Sequence, residues 1–393
     1  MKKLALSLSL LAASGLFMAS CSDDDKSIED IVSKREVINN YADIVYQNYK
    51  DAYDSAVILE TAINAFVDEP TEEKFNAAKD RWKEARETYG TTEAFRFANG
   101  PIDDEDGPEG LINAWPLDEN YIDYVDNNGT IVNGGIINNA ALYPEITKQL
   151  LISLNEDGNE KNISTGYHAI EFLLWGQDLT APSENKPGQR AHTDFVDGGT
   201  NLNQDRRRDY LKVCADLLTD HLSELVSEWE QAGAYRTTFL ALPEDTAITN
   251  MYLGIVTLAY AELAIERMDV ALIGMDQEDE HSCFSDNTHR DIILNFEGVV
   301  NVYKGKYGNI NGSSLEDLVR QTNKQFAADT DTAINITRAS IIAIPTPFDL
   351  AISGGPSSEN GTKVKAAVTN LRDELSANLL AGATALGISV TVE

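Results

Sequence analysis

Positive charge is what this chain has least of. Its 393 residues carry 31 Lys and Arg against 64 Asp and Glu, a formal net charge of −33. Nucleic acid is held by clustered Lys and Arg, so it is excluded as a partner, and an anionic membrane surface repels such a chain. Cysteine is scarcer still: Cys21, Cys214 and Cys283 form no C-x-x-C pair and no disulfide framework. No run of 18 apolar residues occurs, so no helical membrane span is expected. Sustained period-2 alternation is missing, which excludes sheet architectures, and no short-period repeat marks a solenoid. Familiar catalytic signatures are missing too: there is no H-E-x-x-H, no G-x-S-x-G and no Walker loop. The surplus of carboxylates attracts cations, although its commonest meaning is a solvated surface.

The first residues form a targeting segment. Lys2 and Lys3 precede an apolar stretch over residues 4–17 that is too short to cross a bilayer. Met18-Ala19-Ser20 leads into Cys21, and small residues before a cysteine here resemble a bacterial lipobox, with Met where Leu is usual. That resemblance implies removal of residues 1–20 and a lipid on Cys21 as the only membrane anchor. The protein would then be an envelope lipoprotein of the outer membrane, on its periplasmic face or at the cell surface. Residues 21–27 form an acidic linker whose Ser22-Asp23-Asp24-Asp25 resembles an export signal of surface lipoproteins.

The body of the chain is helical by periodicity. Val37, Ile38, Tyr41, Ile44, Val45, Tyr49, Ala52 and Ala56 recur at three- and four-residue steps and predict a long helix over 28–66. Phe75, Ala78, Trp82, Ala85 and Tyr89 predict the next, capped at Thr71 and continuing across Gly90. Residues 100–140 read as a long irregular excursion rich in turns and aromatics. After a helix near 144–154 and another over 164–176, residues 177–204 are rich in Gly, Pro, Asn and Asp and mark a domain boundary. Further helices are expected over 204–231, 243–275, 288–303, 313–328, 331–343 and 363–386, the fourth of these with a Ser313/Glu316 capping box. The expected fold is therefore all-α, with helical-bundle domains at 28–200 and 201–393 and a cleft between them. A Pro-x-Asp turn in each half, Pro101-Ile102-Asp103 and Pro347-Phe348-Asp349, suggests a duplication.

One stretch organises the chemistry. Ser164–Gly176 reads STGYHAIEFLLWG, an apolar helix in which His168 and Glu171 share one face. Burying both costs several kcal/mol unless something pairs with them. Two readings stand level: a structural pair, or a pair that holds a metal or other ligand. Spacing alone decides nothing, because His221 and Glu224 repeat it in an amphipathic helix. A second polar cluster runs from Glu280 to Asp291. In it Asp286 and His289 are three apart among Ser282, Ser285 and Asn287, and helix capping explains only some of these residues. Polar clusters in both halves suggest a site between domains. Cys214 lies on an apolar stripe as a small core residue, and pairing with Cys283 is left open.

Gly166-Tyr167-His168-Ala169-Ile170-Glu171 matches the G-x-H-x-x-E motif of the imelysin-like proteins, a family also classed with the peptidases. The resemblance extends to Trp82-Lys83-Glu84-Ala85-Arg86, to Glu93-Ala94-Phe95-Arg96-Phe97, and to Trp115-Pro116-Leu117-Asp118 with Tyr121-Ile122-Asp123. It continues through the 281–291 polar motif to Pro347-Phe348-Asp349, in order and over about residues 30–390. The family resemblance implies two helical bundles with a site between them, in a bacterial envelope protein of iron uptake or regulation. Carried onto this chain, it implies Gly166, His168 and Glu171 on one wall, facing Ser282, Asp286 and His289. The expected metal ligands are His168, Glu171, Asp286 and His289, and the metal is iron, with zinc as the alternative. Arg86, Glu93 and Arg96 would position the ligand, or else join helices as a buried ion-pair network. The implied cargo is a metal or an iron-bearing small ligand, passed to other iron-transport components of the envelope. The alternatives are a metallopeptidase with Glu171 as the catalytic residue, whose usual site layout is missing, and a binding module without metal.

Overall fold

In a computed structural model of the chain, residues 31–105 and 107–392 are described; the targeting segment, Cys21 and the acidic linker lie outside them. The fold is all-α. Helix α1 (Lys34–Asp68) starts at a capping box made by Ser33 and Glu36 and buries Tyr41, Val45, Tyr49, Leu59 and Phe66 along one face. Helix α2 (Glu72–Tyr89) starts at Thr71, whose side chain accepts from the Lys74 N–H, and lies along α1. The expected continuation past Gly90 is a tight 3-10 segment, Gly90–Phe95. A Cβ on Gly90 would stand 2.7 Å from the Leu294 Cβ, so glycine is what lets a later helix pack against this turn.

Residues 100–140 form the expected excursion, with short helices at Glu109–Ile112, Glu119–Ile122 and Gly135–Asn138. They also hold a two-stranded hairpin, Val125–Asn127 with Thr130–Val132, turned by Asn128 and Gly129 at positive φ. Helix α3 is Gly166–Trp175, and all ten of its residues are buried.

Helix α4 (Gln204–Trp229) turns its apolar stripe onto α1 and α3, and α5 (Ala234–Ala241) follows it. Helix α6 (Glu244–Gly274) is continuous for 31 residues, and its stretch Leu258–Asp269 is wound with wider π-helical turns. By length and composition α6 is apolar enough to cross a membrane, but it packs against α1, α7 (Thr288–Lys304) and α10 (359–385), as a core helix does. Between α7 and α10 come α8 (Leu315–Thr322) and α9 (Lys324–Ile342). The capping box of α8 is Ser314 with Asp317 rather than Ser313 with Glu316. Asn323 then separates α8 from α9 by capping the second, so the helix expected over 313–328 is two pieces.

Val32–Glu393 forms one compact unit. Within it α1 packs against α2 and α4 and also against α6, and the Gly90–Phe95 segment packs against α7. Tyr210 and Cys214 both donate to the Ser164 carbonyl, which ties α4 to the entry of α3.

Candidate functional site

The entry of α3 is set by Gly166. Its φ is +84°, and a Cβ there would meet the Ile112 carbonyl oxygen at 2.4 Å. Thr165 does not cap the helix; its hydroxyl donates to the Leu111 carbonyl instead. The apolar composition of α3 then carries His168 and Glu171 into the core, where both are at most 1% exposed.

His168 Nδ1 lies 3.0 Å from Glu171 Oε2. The other oxygen, Oε1, accepts from the Ser285 N–H at 2.9 Å and the Ser285 hydroxyl at 2.7 Å. Both carboxylate oxygens are therefore engaged, and Ser285 joins α3 to the polar segment of the second half. A proton on Nδ1 leaves His168 Nε2 with its lone pair, and that buried atom has no hydrogen-bond partner. The ring of His281 lies edge-to-face with His168, centroids 4.7 Å apart. His281 Nδ1 pairs with Asp291 Oδ2 at 2.9 Å, and Ser282 Oγ donates to the same oxygen at 2.5 Å. Arg86 Nη2 reaches Asp291 Oδ1 at 3.1 Å, and Arg86 Nη1 donates to Asn113 at 2.6 Å. Asn113 in turn donates to Glu93, which Arg267 also grips at 2.6 Å.

Burial governs the electrostatics. It pushes Glu171 up to about 8, against the pull of the Ser285 bonds. It takes His168 well below the ordinary histidine value, with His281 and Arg86 adding to the effect. His281 falls to about 4, through burial and the nearby Arg267. Both rings are thus neutral, the form in which imidazole binds metals. Burial opposes the Asp291 charge, yet Arg86, His281 and Ser282 hold that carboxyl well below the usual range. Glu93 is lowered against its own burial by Arg267 and Arg96.

The structure brings Gly166, His168, Glu171, Ser282 and Arg86 together. Glu93 and Arg96 stand further out: Arg96 reaches Glu109 at 3.2 Å and Glu262 at 3.4 Å, and Glu93 connects to Arg86 through Asn113. Asp286 and His289 are not part of this group. His289 Nδ1 sits 3.2 Å from the Asp286 carbonyl and lines a cavity of about 90 Å³ among Ile292, Ile341 and Ile344. Asp286 belongs to a different carboxylate cluster with Asp178 and Asp349. The expectation fails because Asp286 has φ +55° and precedes the start of α7, so a three-residue spacing there is not a shared helical face. Within α7 it is Asp291 that turns inward. His281 and Asp291 take the places expected of His289 and Asp286, and both sat in the same 281–291 motif that supplied Ser282. His221 and Glu224 pair at 3.3 Å on the surface, where Glu224 is exposed. Cys214 and Cys283 are both unpaired.

With Glu171 ionised and the proton on His168 Nδ1, the donor set fits a borderline metal: one buried imidazole nitrogen free, its ring held from behind by Glu171, and a second neutral imidazole beside it. A family model, Imelysin of the peptidase classification, matches residues 45–378. Iron-regulated protein A of Synechococcus elongatus is 26% identical over 362 residues, covering 89% of this chain and 85% of that protein. A crystal structure described as an iron-regulated protein A precursor from Parabacteroides distasonis superposes with a TM-score of 0.68 at 18% identity, over 90% of this chain and 95% of that one. An imelysin-like protein from Psychrobacter arcticum gives 0.65 at 14% identity, over 92% and 98%.

Proposed function

The chain belongs to the imelysin family, and on that premise we propose that it is an iron-linked envelope protein that takes up a metal ion at His168. The reading is carried by one observation: a neutral, fully buried His168 whose Nε2 has no partner, while Glu171 holds Nδ1. An unpaired buried polar atom costs about 1–3 kcal/mol, and a metal at Nε2 offsets it. His168 is the ligand in this reading, the ring of His281 packs edge-to-face beside it, and Glu171 is a positioning residue. Burial, Arg267 and Arg86 keep His281 neutral, against the pull of Asp291, which holds the ring in place through Nδ1. The iron association rests on the name of the Synechococcus relative, and iron is among the metals that imidazole suits. The cargo is iron or an iron-bearing small molecule, handed on to other iron-transport components, with zinc the competing ion. Titration calorimetry with Fe2+ under anaerobic conditions tests this. Wild type should bind, His168→Ala should lose binding, and Glu171→Gln should weaken it about 10–100-fold, as loss of a carboxylate behind a ligating histidine does. Equal heats from wild type and His168→Ala would overturn the reading.

The peptidase classification finds less support. His168, Glu171, His281 and Asp291 are all buried, out of reach of a polypeptide in this conformation. Anchoring through a lipid on Cys21 at the outer membrane belongs to the same proposal. It predicts that Cys21→Ala moves the protein from the membrane to the soluble fraction of lysed cells; an unchanged distribution would count against it.

A further inference from the structure

A second site lies on the other side of the 280–287 segment. Asp178, just beyond α3, Asp286, before α7, and Asp349, in the Pro-x-Asp turn, offer carboxylate oxygens all within 4.8 Å of one another. Asp178 and Asp349 are each only 3% exposed, so this is not a solvated acidic surface. One oxygen of each is already oriented: Asp178 Oδ1 accepts from the Thr180 N–H and hydroxyl at 3.0 Å, and Asp349 Oδ1 accepts from the Leu350 N–H at 2.6 Å. Independently of these three, Glu280 is 1% exposed, and neither of its oxygens has a hydrogen-bond partner. It is not one of the three carboxylates that lie within 4.8 Å of one another, but their charges add to its burial in raising its proton affinity, and Thr288 offsets part of this. Lys83 exerts some pull on Asp286, but among the described residues no Lys or Arg forms an ion pair with any of the four. A cavity of about 390 Å³, lined by Asp178, Gln277, Glu278 and Asp349, connects the cluster to solvent.

Three carboxylates this close, with a fourth buried and unpartnered nearby and only Lys83 pulling on Asp286, repel one another and are expensive to bury. A bound cation removes both penalties. The donors are all oxygen, with no histidine or cysteine among them, which selects a hard ion over the metals that suit imidazole. The ligands come from two loops and the first turn of a short helix, Phe348–Ile352, and not from one rigid element. Ca2+, at about 2.3–2.6 Å from each oxygen and tolerant of irregular geometry, suits that better than Mg2+, which demands a near-ideal octahedron. We infer that Asp178, Asp286 and Asp349, with the unpartnered Glu280 carboxyl buried near them, form a calcium site that staples the turn after α3, the 280–287 segment and the Pro-x-Asp turn together.

The test uses the purified chain stripped with chelator and then titrated with CaCl2, by calorimetry and by thermal melting. Wild type should bind Ca2+ and melt several degrees higher in about 1 mM Ca2+, the range of extracellular calcium modules. Asp178→Asn and Asp349→Asn should each bind at least about tenfold more weakly. In chelator their melting temperatures should equal or exceed that of wild type, because each removes one of the repelling charges. That arm also shows that the variants fold, and Glu280→Gln provides a third. His168→Ala should keep the full calcium response, which separates this site from the one proposed for iron. The inference is overturned if wild type shows neither heat nor a melting shift, if the Asp variants respond as wild type does, or if Mg2+ binds more tightly than Ca2+.

Discussion

Arg86 decides how the buried polar network should be understood. It is fully buried on α2, yet it touches groups from three parts of the chain: Asn113 in the excursion, His281 before α7, and Asp291 within α7. Its guanidinium also lies 5.0 Å from the Tyr167 ring centroid and 5.4 Å from that of Tyr89, so the aromatic faces supply part of its surroundings. Removing one partner of a buried pair leaves the other charge stranded, which costs about 3–5 kcal/mol. Arg86→Met should therefore lower the urea midpoint by a corresponding amount, and adding Asp291→Asn should recover part of the loss. A single-variant effect below about 1 kcal/mol would mean that Asp291 finds another partner and that the network does not join the helices. Arg267 has the same character one step away, with Glu93 at 2.6 Å, Asn295 at 2.5 Å and Glu262 at 2.9 Å.

At the scale of elements, α3 and α6 show how a site is built from winding. Residues 262 and 267 are five apart, which on an α-helix would put them on different faces. Between Leu258 and Asp269 the π-helical turns bring residues five apart nearly into line, and Arg267 Nε then reaches Glu262 at 3.0 Å. Helix α3 depends instead on its entry. Gly166→Ala forces a side chain into a left-handed conformation, at about 1–3 kcal/mol, and drives its Cβ against the Ile112 carbonyl. The expected outcome is a clear fall in melting temperature, together with weaker metal uptake, because the same turn aims His168. Unchanged stability in that variant would show that the backbone at 166 can relax. The burial of α3 is legible in STGYHAIEFLLWG, since no face of that helix is polar enough to meet water. The partners of His168 and Glu171 are not. His281, Ser285 and Asp291 reach them through tertiary packing more than a hundred residues later, where spacing rules valid inside one helix say nothing. Asp286 and His289 illustrate the limit, as their three-residue spacing spans a left-handed turn and a helix start. The positions of α1, α2 and α4 follow from periodicity, whereas Asn323 as a break between α8 and α9 depends on a side-chain cap that competes with helix continuation.

For the whole molecule the controlling quantity is charge. A net −33 repels itself, and acidification toward the pI of about 4.4 relieves that repulsion. Opposing it are buried carboxylates that must stay ionised. Asp123 is the clearest: fully buried, it accepts from Arg190 at 2.6 Å and from Arg207 at 2.7 and 2.9 Å, joining the excursion to the 177–204 stretch and to α4. Burial resists its charge, but the two guanidinium groups prevail and pull its pKa from the ordinary 3.8 to about 2. Because the folded value is the lower one, the unfolded chain takes up the proton first. The stabilisation is complete above about pH 4 and drains away as the pH falls through 2, and a shift of nearly two pH units corresponds to about 2 kcal/mol. Asp291, held lower still, acts in the same direction. Urea midpoints should thus change little, or rise slightly, between pH 7 and 5 and then fall steeply below about pH 4. Asp123→Asn leaves Arg190 and Arg207 without their shared carboxylate, so it should be less stable than wild type at pH 7 and fall less steeply below pH 4. Parallel curves for the two proteins below pH 4 would place the acid sensitivity in other carboxylates, and a variant as stable as wild type at pH 7 would show that the two arginines need no counter-charge from residue 123.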